Sequence, residues 1–343
     1  MLKEIGSEFM ADSYQKGVNR YRILCDRQFR RRYVLSGRTG LYMIAQELLA
    51  QGIADVALPA YCCASMVAPF VRAGVRVQFY EETVPCDAKA VLVMDYFGYL
   101  REETVAFAQA CKEQGKIVIV DATQTAFSRS ETYDLADYVV VSYRKWFDCL
   151  CAEVYSKQEF LTPEFVLQEG RFTNYWRSAA RLKRVYCVTG EGDKARFLAM
   201  YRIANEQLAK DYIGYGAGGG EVQCLWMVDS DDLRNRRRAN AQYLIDALRG
   251  KVELLFDEMG PEDCPLHVPI LVPAALRDGL RQALTEQAVY CPAHWPIDPN
   301  YPHKKTALHD TEISLVCDQR YSLSDMERQA AIVIRFMTEE RGA

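Results

Sequence analysis

Two short apolar runs stand close together in the middle of the chain, Ile117–Val120 and Tyr138–Val141. Each is too short for a helix and rich enough in Val and Ile to form a buried strand. Runs of the same kind recur upstream at Val56–Pro59, Val75–Tyr80 and Ala90–Met94. Between the runs the apolar positions fall at helical spacing. Leu41, Ile44, Leu48 and Leu49 mark one helix, which Gly52 stops, and Met66–Ala73 and Glu102–Gln114 mark two more. Strand and helix thus alternate at βαβ spacing. The alternation predicts an α/β fold, a mostly parallel sheet with helices on both faces.

The pattern changes after the second run. Val154–Tyr155 reads as a further strand. Arg171–Lys183 is rich in aromatic and basic residues, and reads either as a substrate or partner surface or as a helix packing its aromatics. Gly216–Gly220 reads as a flexible loop; no strand precedes it, so it is not a dinucleotide fingerprint. Asp231–Leu248 predicts a long charged helix that links a large lobe to a smaller one. Beyond it come short strands (Val252–Phe256, His267–Leu271, Ile313–Val316) and two amphipathic helices (Ala274–Glu286, Ser324–Met337) without βαβ alternation. The division expected is a large domain over 1–235, carrying an N-terminal arm, and a small C-terminal α+β domain over 236–343.

Composition narrows the function classes. A chain of 343 residues can bury a large core. Its net charge of −4 gives no reason to expect nucleic acid as a partner. No apolar run approaches the length of a membrane span, and the start, MLKEIGSEFMADSYQK, has no signal-peptide core. The 12 cysteines lack metal-ligand spacing: Cys62 and Cys63 are adjacent, and one residue separates Cys149 from Cys151. Free thiols in the reducing cytoplasm, with no metal site, are the expectation. The basic run Arg27–Arg32 reads first as a solvated helix face and second as a phosphate-seeking patch.

The chemistry gathers at the ends of the two central runs. The first ends on Asp121, with Gln124 shortly after; the second ends just before Ser142, Tyr143, Arg144 and Lys145. If the strands are parallel neighbours, their carboxyl ends share one edge, where open α/β sheets bind ligands. An Asp and a Lys delivered there suit pyridoxal phosphate: the amine forms a Schiff base with the aldehyde, and the acid pairs with the pyridine nitrogen. Upstream, Ser36-Gly37-Arg38-Thr39 opens a helix and offers free N–H groups, a hydroxyl and a cation to an anion. Each feature also has a plainer reading, as a turn residue, a solvated lysine or an ordinary Ser/Thr cap.

Taken together, these segments resemble the DegT/DnrJ/EryC1/StrS (sugar) aminotransferases of fold-type I. Ser36-Gly37-Arg38-Thr39 is similar to that family's S-G-T turn. Pro59-Ala60-Tyr61-Cys62-Cys63 stands where it has P-x-Y-T-F. Asp95-Tyr96-Phe97-Gly98 resembles its H-L-F-G, and Asp121-Ala122-Thr123-Gln124 its D-A-A-Q. Ser142 and Lys145 correspond to its S-F-x-x-x-K. The resemblance implies pyridoxal 5'-phosphate as cofactor, with Lys145 as the Schiff-base lysine and proton shuttle and Asp121 on the ring nitrogen. It implies Gln124 at the ring hydroxyl, and Gly37, Arg38, Thr39 and Ser142 around the phosphate. Tyr61 or Cys63 would lie against the ring. In the small lobe His294 and Arg320 are candidate substrate contacts, Arg320 either for a substrate carboxylate or for a structural salt bridge.

The implied activity is transfer of an amino group from an amino acid donor to a keto or aldehyde acceptor, a nucleotide keto sugar being the family's suggestion. A homodimer with interfacial active sites, to which Arg171–Lys183 contributes, is also implied. The departures are a Ser-to-Lys spacing two residues short, Trp146 where the family has Asn, and Cys151-Ala152 near where it has Gly-Gly. These keep open a second reading, a non-catalytic member with a binding or regulatory role. The family's dehydratase branch carries histidine in place of Lys145.

Overall fold

A computed structural model describes residues 3–21, 29–81, 87–168 and 170–342. In chain order, strands β1 (Ile5–Gly6) and β2 (Arg30–Val34) precede helix α1 (Gly37–Ala50), β3 (Asp55–Pro59), α2 (Ala64–Ala73), β4 (Arg76–Tyr80) and β5 (Ala90–Val93). Then follow α3 (Glu102–Glu113), β6 (Ile117–Asp121), α4 (Thr132–Leu135), β7 (Tyr138–Ser142) and β8 (Ala152–Ser156). Four helices come next: α5 (Arg171–Thr189), α6 (Lys194–Lys210), α7 (Gly219–Met227) and α8 (Ser230–Leu248). The chain closes with β9 (Glu253–Leu254), β10 (His267–Leu271), α9 (Ala274–Glu286), β11 (Val289–Tyr290), α10 (Leu308–Thr311), β12 (Glu312–Val316) and α11 (Leu323–Gly342).

Seven strands form the large sheet, in the order β2-β8-β7-β6-β5-β3-β4. β4, β3, β5, β6 and β7 are mutually parallel, and β8 alone runs against its neighbours. The fold is therefore the α/β class read from the sequence, with a mostly parallel sheet. Successive strand residues face opposite sides. Val118, Val120, Val139 and Val141 enter one core, with Ala108 of α3 and Leu225 of α7. Ile119, Val140 and Val154 enter the other, with Leu41, Ile44 and Leu48 of α1 and Phe70 of α2. Burial on both faces explains why these strands read as unbroken apolar runs.

The small lobe has an antiparallel sheet, β12-β10-β9, backed by α8, α9 and α11. The expected lobe boundary at 235/236 falls inside α8. Leu233 of that helix packs in the large lobe, while Ala241, Leu244, Ile245 and Leu248 pack in the small one. The N-terminal arm is also shared: β1 pairs in parallel with β11, Ile5 opposite Val289. Ile5 is fully buried in the small-lobe core.

Two expectations are corrected. Arg30–Arg32 of the basic run lie on strand β2, not on a helix, while Arg27 and Gln28 fall outside the described residues. Pairing of β2 with β8 settles the conformation, and Arg32 donates to the Thr162 and Pro163 carbonyls at 2.7 and 3.1 Å. Residues 216–220 are not one loop, since Gly219 and Gly220 begin α7. Helix α6 has no counterpart in the sequence reading. Among the described residues no helix is long and apolar enough to cross a membrane, and no cluster of His, Cys, Asp and Glu is placed to hold a metal ion.

Candidate active site

β6 and β7 are parallel neighbours, Asp121 in register with Val140, so their carboxyl ends meet at one edge. Val34 at the end of β2 and Ser142 at the end of β7 both pair with Ala152 of β8. That register sets the start of α1 beside Ser142. A cleft opens there, lined by Gly37, Arg38, Cys63, Asp121, Gln124, Ser142, Lys145 and His294. Thr123, Arg144, His267 and Trp295 complete much of its wall.

Ser36 caps α1, its Oγ accepting from the Thr39 N–H at 3.2 Å and meeting the Thr39 hydroxyl at 2.9 Å. The N–H groups of Gly37 and Arg38, in the first turn, have no acceptor within the helix. Backbone approach is close here: a Cβ on Gly37 would stand 3.2 Å from Ser142 Cβ and 3.9 Å from Thr123 Oγ1. The Arg38 guanidinium has no hydrogen-bond or ion-pair partner among the described residues. Burial lowers its pKa, and the facing charge of Arg144 lowers it further. Arg144 donates to Asn205 Oδ1 at 3.1 Å and lies 4.7 Å from the Trp176 ring centroid.

Asp121 is buried at the end of β6, where its Oδ1 accepts from the Thr123 N–H at 2.9 Å. Burial raises its carboxyl above the ordinary range, while the Thr123 donors and the Lys145 charge act against that. The Thr123 hydroxyl accepts from the Ser142 N–H at 3.2 Å and so ties the two strand ends together. Gln124 accepts from the Phe97 N–H at 2.6 Å through Oε1, which leaves its Nε2 as the uncommitted end.

Lys145 ends a single 3₁₀ turn, Tyr143–Lys145. Its side chain is open to water in the cleft. Its amine has no hydrogen-bond or ion-pair partner among the described residues. Its pKa is lowered by burial first and by Arg144 next, with Glu8 and Cys63 acting in the opposite sense. Across the cleft His267 is held well below its usual pKa by burial, with His294, Arg237 and Lys145 adding to the shift. Its Nδ1 is buried without a partner. His294 is set by β12: its N–H donates to Glu312 Oε2 at 2.7 Å, and its Nδ1 lies 2.9 Å from Ser314 Oγ.

The structure thus gathers Gly37, Arg38, Cys63, Asp121, Gln124, Ser142, Lys145 and His294 in one cleft; Thr39, Tyr61 and Arg320 are not in its lining, although Arg320 lines an adjoining cavity with Lys145 and His294. Thr39 is fully buried against Ser36 and turns its side chain into the cap. The Tyr61 hydroxyl donates to the His294 carbonyl at 2.7 Å, and its ring packs 5.0 Å from Trp295, joining the lobes outside the cleft lining. Arg320 grips Asp318 in a two-pronged pair at 2.9 and 2.7 Å and donates to the Ser7 and Glu8 carbonyls. Of its two readings, that geometry is the salt bridge. Arg171–Lys183 is the front of α5, which buries Phe172 and Trp176 against α6. Thr123 and Arg144 stood within the quoted segments but were not singled out. His267 and Trp295 carried no local signal, because only the lobe packing brings them in.

No sequence-family profile matches the chain, and no curated protein matches it. Solved structures do. PseC of Helicobacter pylori, an aminotransferase of pseudoaminic acid biosynthesis, aligns over 97% of this chain and 100% of its own, with TM-score 0.61 and 12% identity. A DegT DnrJ EryC1 StrS aminotransferase from Brucella abortus aligns over 90% and 86%, with TM-score 0.58 and 15% identity. NtdA of Bacillus subtilis, solved with bound PMP, aligns over 90% and 73%, with TM-score 0.58 and 14% identity. Over 90% or more of its length in these alignments, the chain has the fold of the DegT/DnrJ/EryC1/StrS sugar aminotransferases.

Proposed function

We propose that this chain is a pyridoxal 5'-phosphate-dependent aminotransferase, working as a homodimer. The reading rests above all on one arrangement: an uncommitted Lys145 amine shares a cleft with the Asp121 carboxylate and the open start of α1. The residues present fit the cofactor. Gly37 leaves space against Ser142 that a side chain would fill. The adjoining N–H groups, the Ser142 hydroxyl and the Arg38 guanidinium form a donor set for a phosphate. A dianion there would also relieve the repulsion between Arg38 and Arg144.

When bound, the cofactor supplies an electron sink that lets a Cα–H bond of the donor be broken. The protein's own groups do the rest. Asp121, raised in pKa by its burial, would hold a protonated ring nitrogen and be drawn back to its ionised form by it. Gln124 would offer Nε2 to the ring hydroxyl. Lys145 is the amine that would anchor the cofactor, and its lowered pKa enriches the neutral, nucleophilic form. The same amine can take a proton from the donor and return it at the acceptor.

We assign an amino acid as donor and a keto or aldehyde compound as acceptor. The likeness to sugar aminotransferases supports a keto sugar in the second role. The test is an absorbance spectrum of the purified protein with pyridoxal phosphate. A visible band that Lys145→Ala abolishes is the expected result, followed by keto acid release from an amino donor. No band in the unaltered protein, with the cofactor in excess, overturns the proposal.

A further inference from the structure

Trp146 follows Lys145 directly and is fully buried. Its indole N–H donates to the Thr123 carbonyl at 2.9 Å. Thr123 is the residue whose N–H reaches Asp121 and whose hydroxyl reaches Ser142. One bond therefore fastens the residue after the lysine to the loop that orients the acid. On its other side the Trp146 carbonyl accepts from Gln319 Nε2 at 2.7 Å and from Arg237 at 3.4 Å. The Arg237 guanidinium lies 4.6 Å from the indole centroid, and its Nε donates to Gln319 Oε1 at 2.8 Å. Arg237 belongs to α8, and Gln319 follows β12. Trp146 is thus held by both lobes, while the amine beside it is held by nothing.

We propose that Trp146 is the positioning residue for Lys145, fixing the amine opposite Asp121 and tying its place to that of the small lobe. The proposal rests on Lys145 being the reactive amine. A side chain without partners takes its position from its backbone, and here the backbone has two anchors, Tyr143 before it and Trp146 after it. Tyr143 is locked through its hydroxyl to Glu153 at 2.6 Å. Trp146 is the anchor that senses both the acid's loop and the opposite lobe.

The test uses the full-length chain without cofactor, so that it fails separately from the spectrum above. Acetylation of Lys145 by acetic anhydride is followed across pH by mass spectrometry. The groups that face this amine are Arg144 on its own turn, Arg38 on α1, Cys63 before α2, Asp121 on β6, Glu8 on the N-terminal arm and His267 on β10. Trp146→Phe keeps a ring but removes the indole donor. The freed turn lets the amine move away from the Arg144 and Arg38 charges, so its apparent pKa rises by about half a unit, read as roughly threefold slower acetylation near pH 8. Gln319→Met removes the small-lobe donor and gives a smaller shift of the same sign, and the double variant is non-additive. A purely structural tryptophan would lower the melting temperature and leave the Lys145 profile in place. An unchanged profile in folded Trp146→Phe overturns the proposal. Should that variant not fold, Gln319→Met decides: a shift supports it, and an unchanged profile overturns it.

Discussion

Phe97 and Gly98 turn the chain just past β5, both at positive φ, +59° and +92°. Their carbonyls accept from the Leu266 N–H at 2.7 Å and the Cys264 N–H at 3.2 Å, on the segment leading into β10. A Cβ on Gly98 would stand 2.0 Å from the Cys264 carbonyl oxygen and 2.7 Å from the Leu266 nitrogen. Both are backbone atoms with nowhere to move. Gly98→Ala is expected to cost roughly 3 kcal/mol or more in denaturant unfolding. Gly52→Ala is the control: φ is +76° there with nothing within 4 Å, so it loses only about 1–2 kcal/mol. Equal losses would show that the carbonyl contact is irrelevant. The requirement at Gly98 could not be read locally, because the obstructing carbonyl comes from the other lobe. Asp121 and Lys145 were legible for the opposite reason: each follows its own apolar run, and strand pairing carries both to the same edge. The partners of Tyr61 and Arg320, His294 and Asp318, could not be read from the motifs, since only folding brings them together.

Helix α1 shows what one small residue does for an element. Gly40 faces the sheet, where an added Cβ would meet Val140 at 2.7 Å and Val154 at 2.9 Å. The helix therefore sits close on β7 and β8, and its N-terminal turn comes level with Ser142. Gly40→Ala should lift the helix, costing about 1–3 kcal/mol in stability. Pyridoxal phosphate binding, measured by fluorescence titration, should weaken with it. Adding Val140→Ala should restore much of both, and a failure to couple would count against this contact. The strands of the sheet centre were legible as short apolar runs, and α1, α2 and α3 between them as helices; α4, four residues long, was not. β2 was not: its run RRRYV is polar, and only pairing with β8 makes it a strand. α6 did carry a signal, with Phe197, Tyr201, Ala204 and Leu208 buried at helical spacing, but the charged residues between them diluted it.

At the scale of the whole molecule, the cleft lies between lobes that share their edges. The small lobe borrows β1 from the start of the chain, and α8 crosses from one core to the other. The change from βαβ alternation to mixed elements was legible in the sequence, whereas the borrowed strand, two residues long, had no pattern to reveal it. The homodimer is a prediction at this scale. Sedimentation of the protein with bound pyridoxal phosphate should give a dimer at micromolar concentration, and a monomer that retains the cofactor would refute it.

The pairing of β1 with β11 also sets a timetable for synthesis. Ile5 is synthesised well before its partner Val289, which is added 284 residues later. At roughly 5–20 residues per second, that interval lasts on the order of 15 seconds to a minute. Throughout it the apolar Ile5 has no completed small lobe to enter, and the arm can dock only after the large sheet has had time to form. The arm is therefore among the last segments to reach its place, and a nascent chain stalled before residue 289 would leave it open to proteases and chaperones.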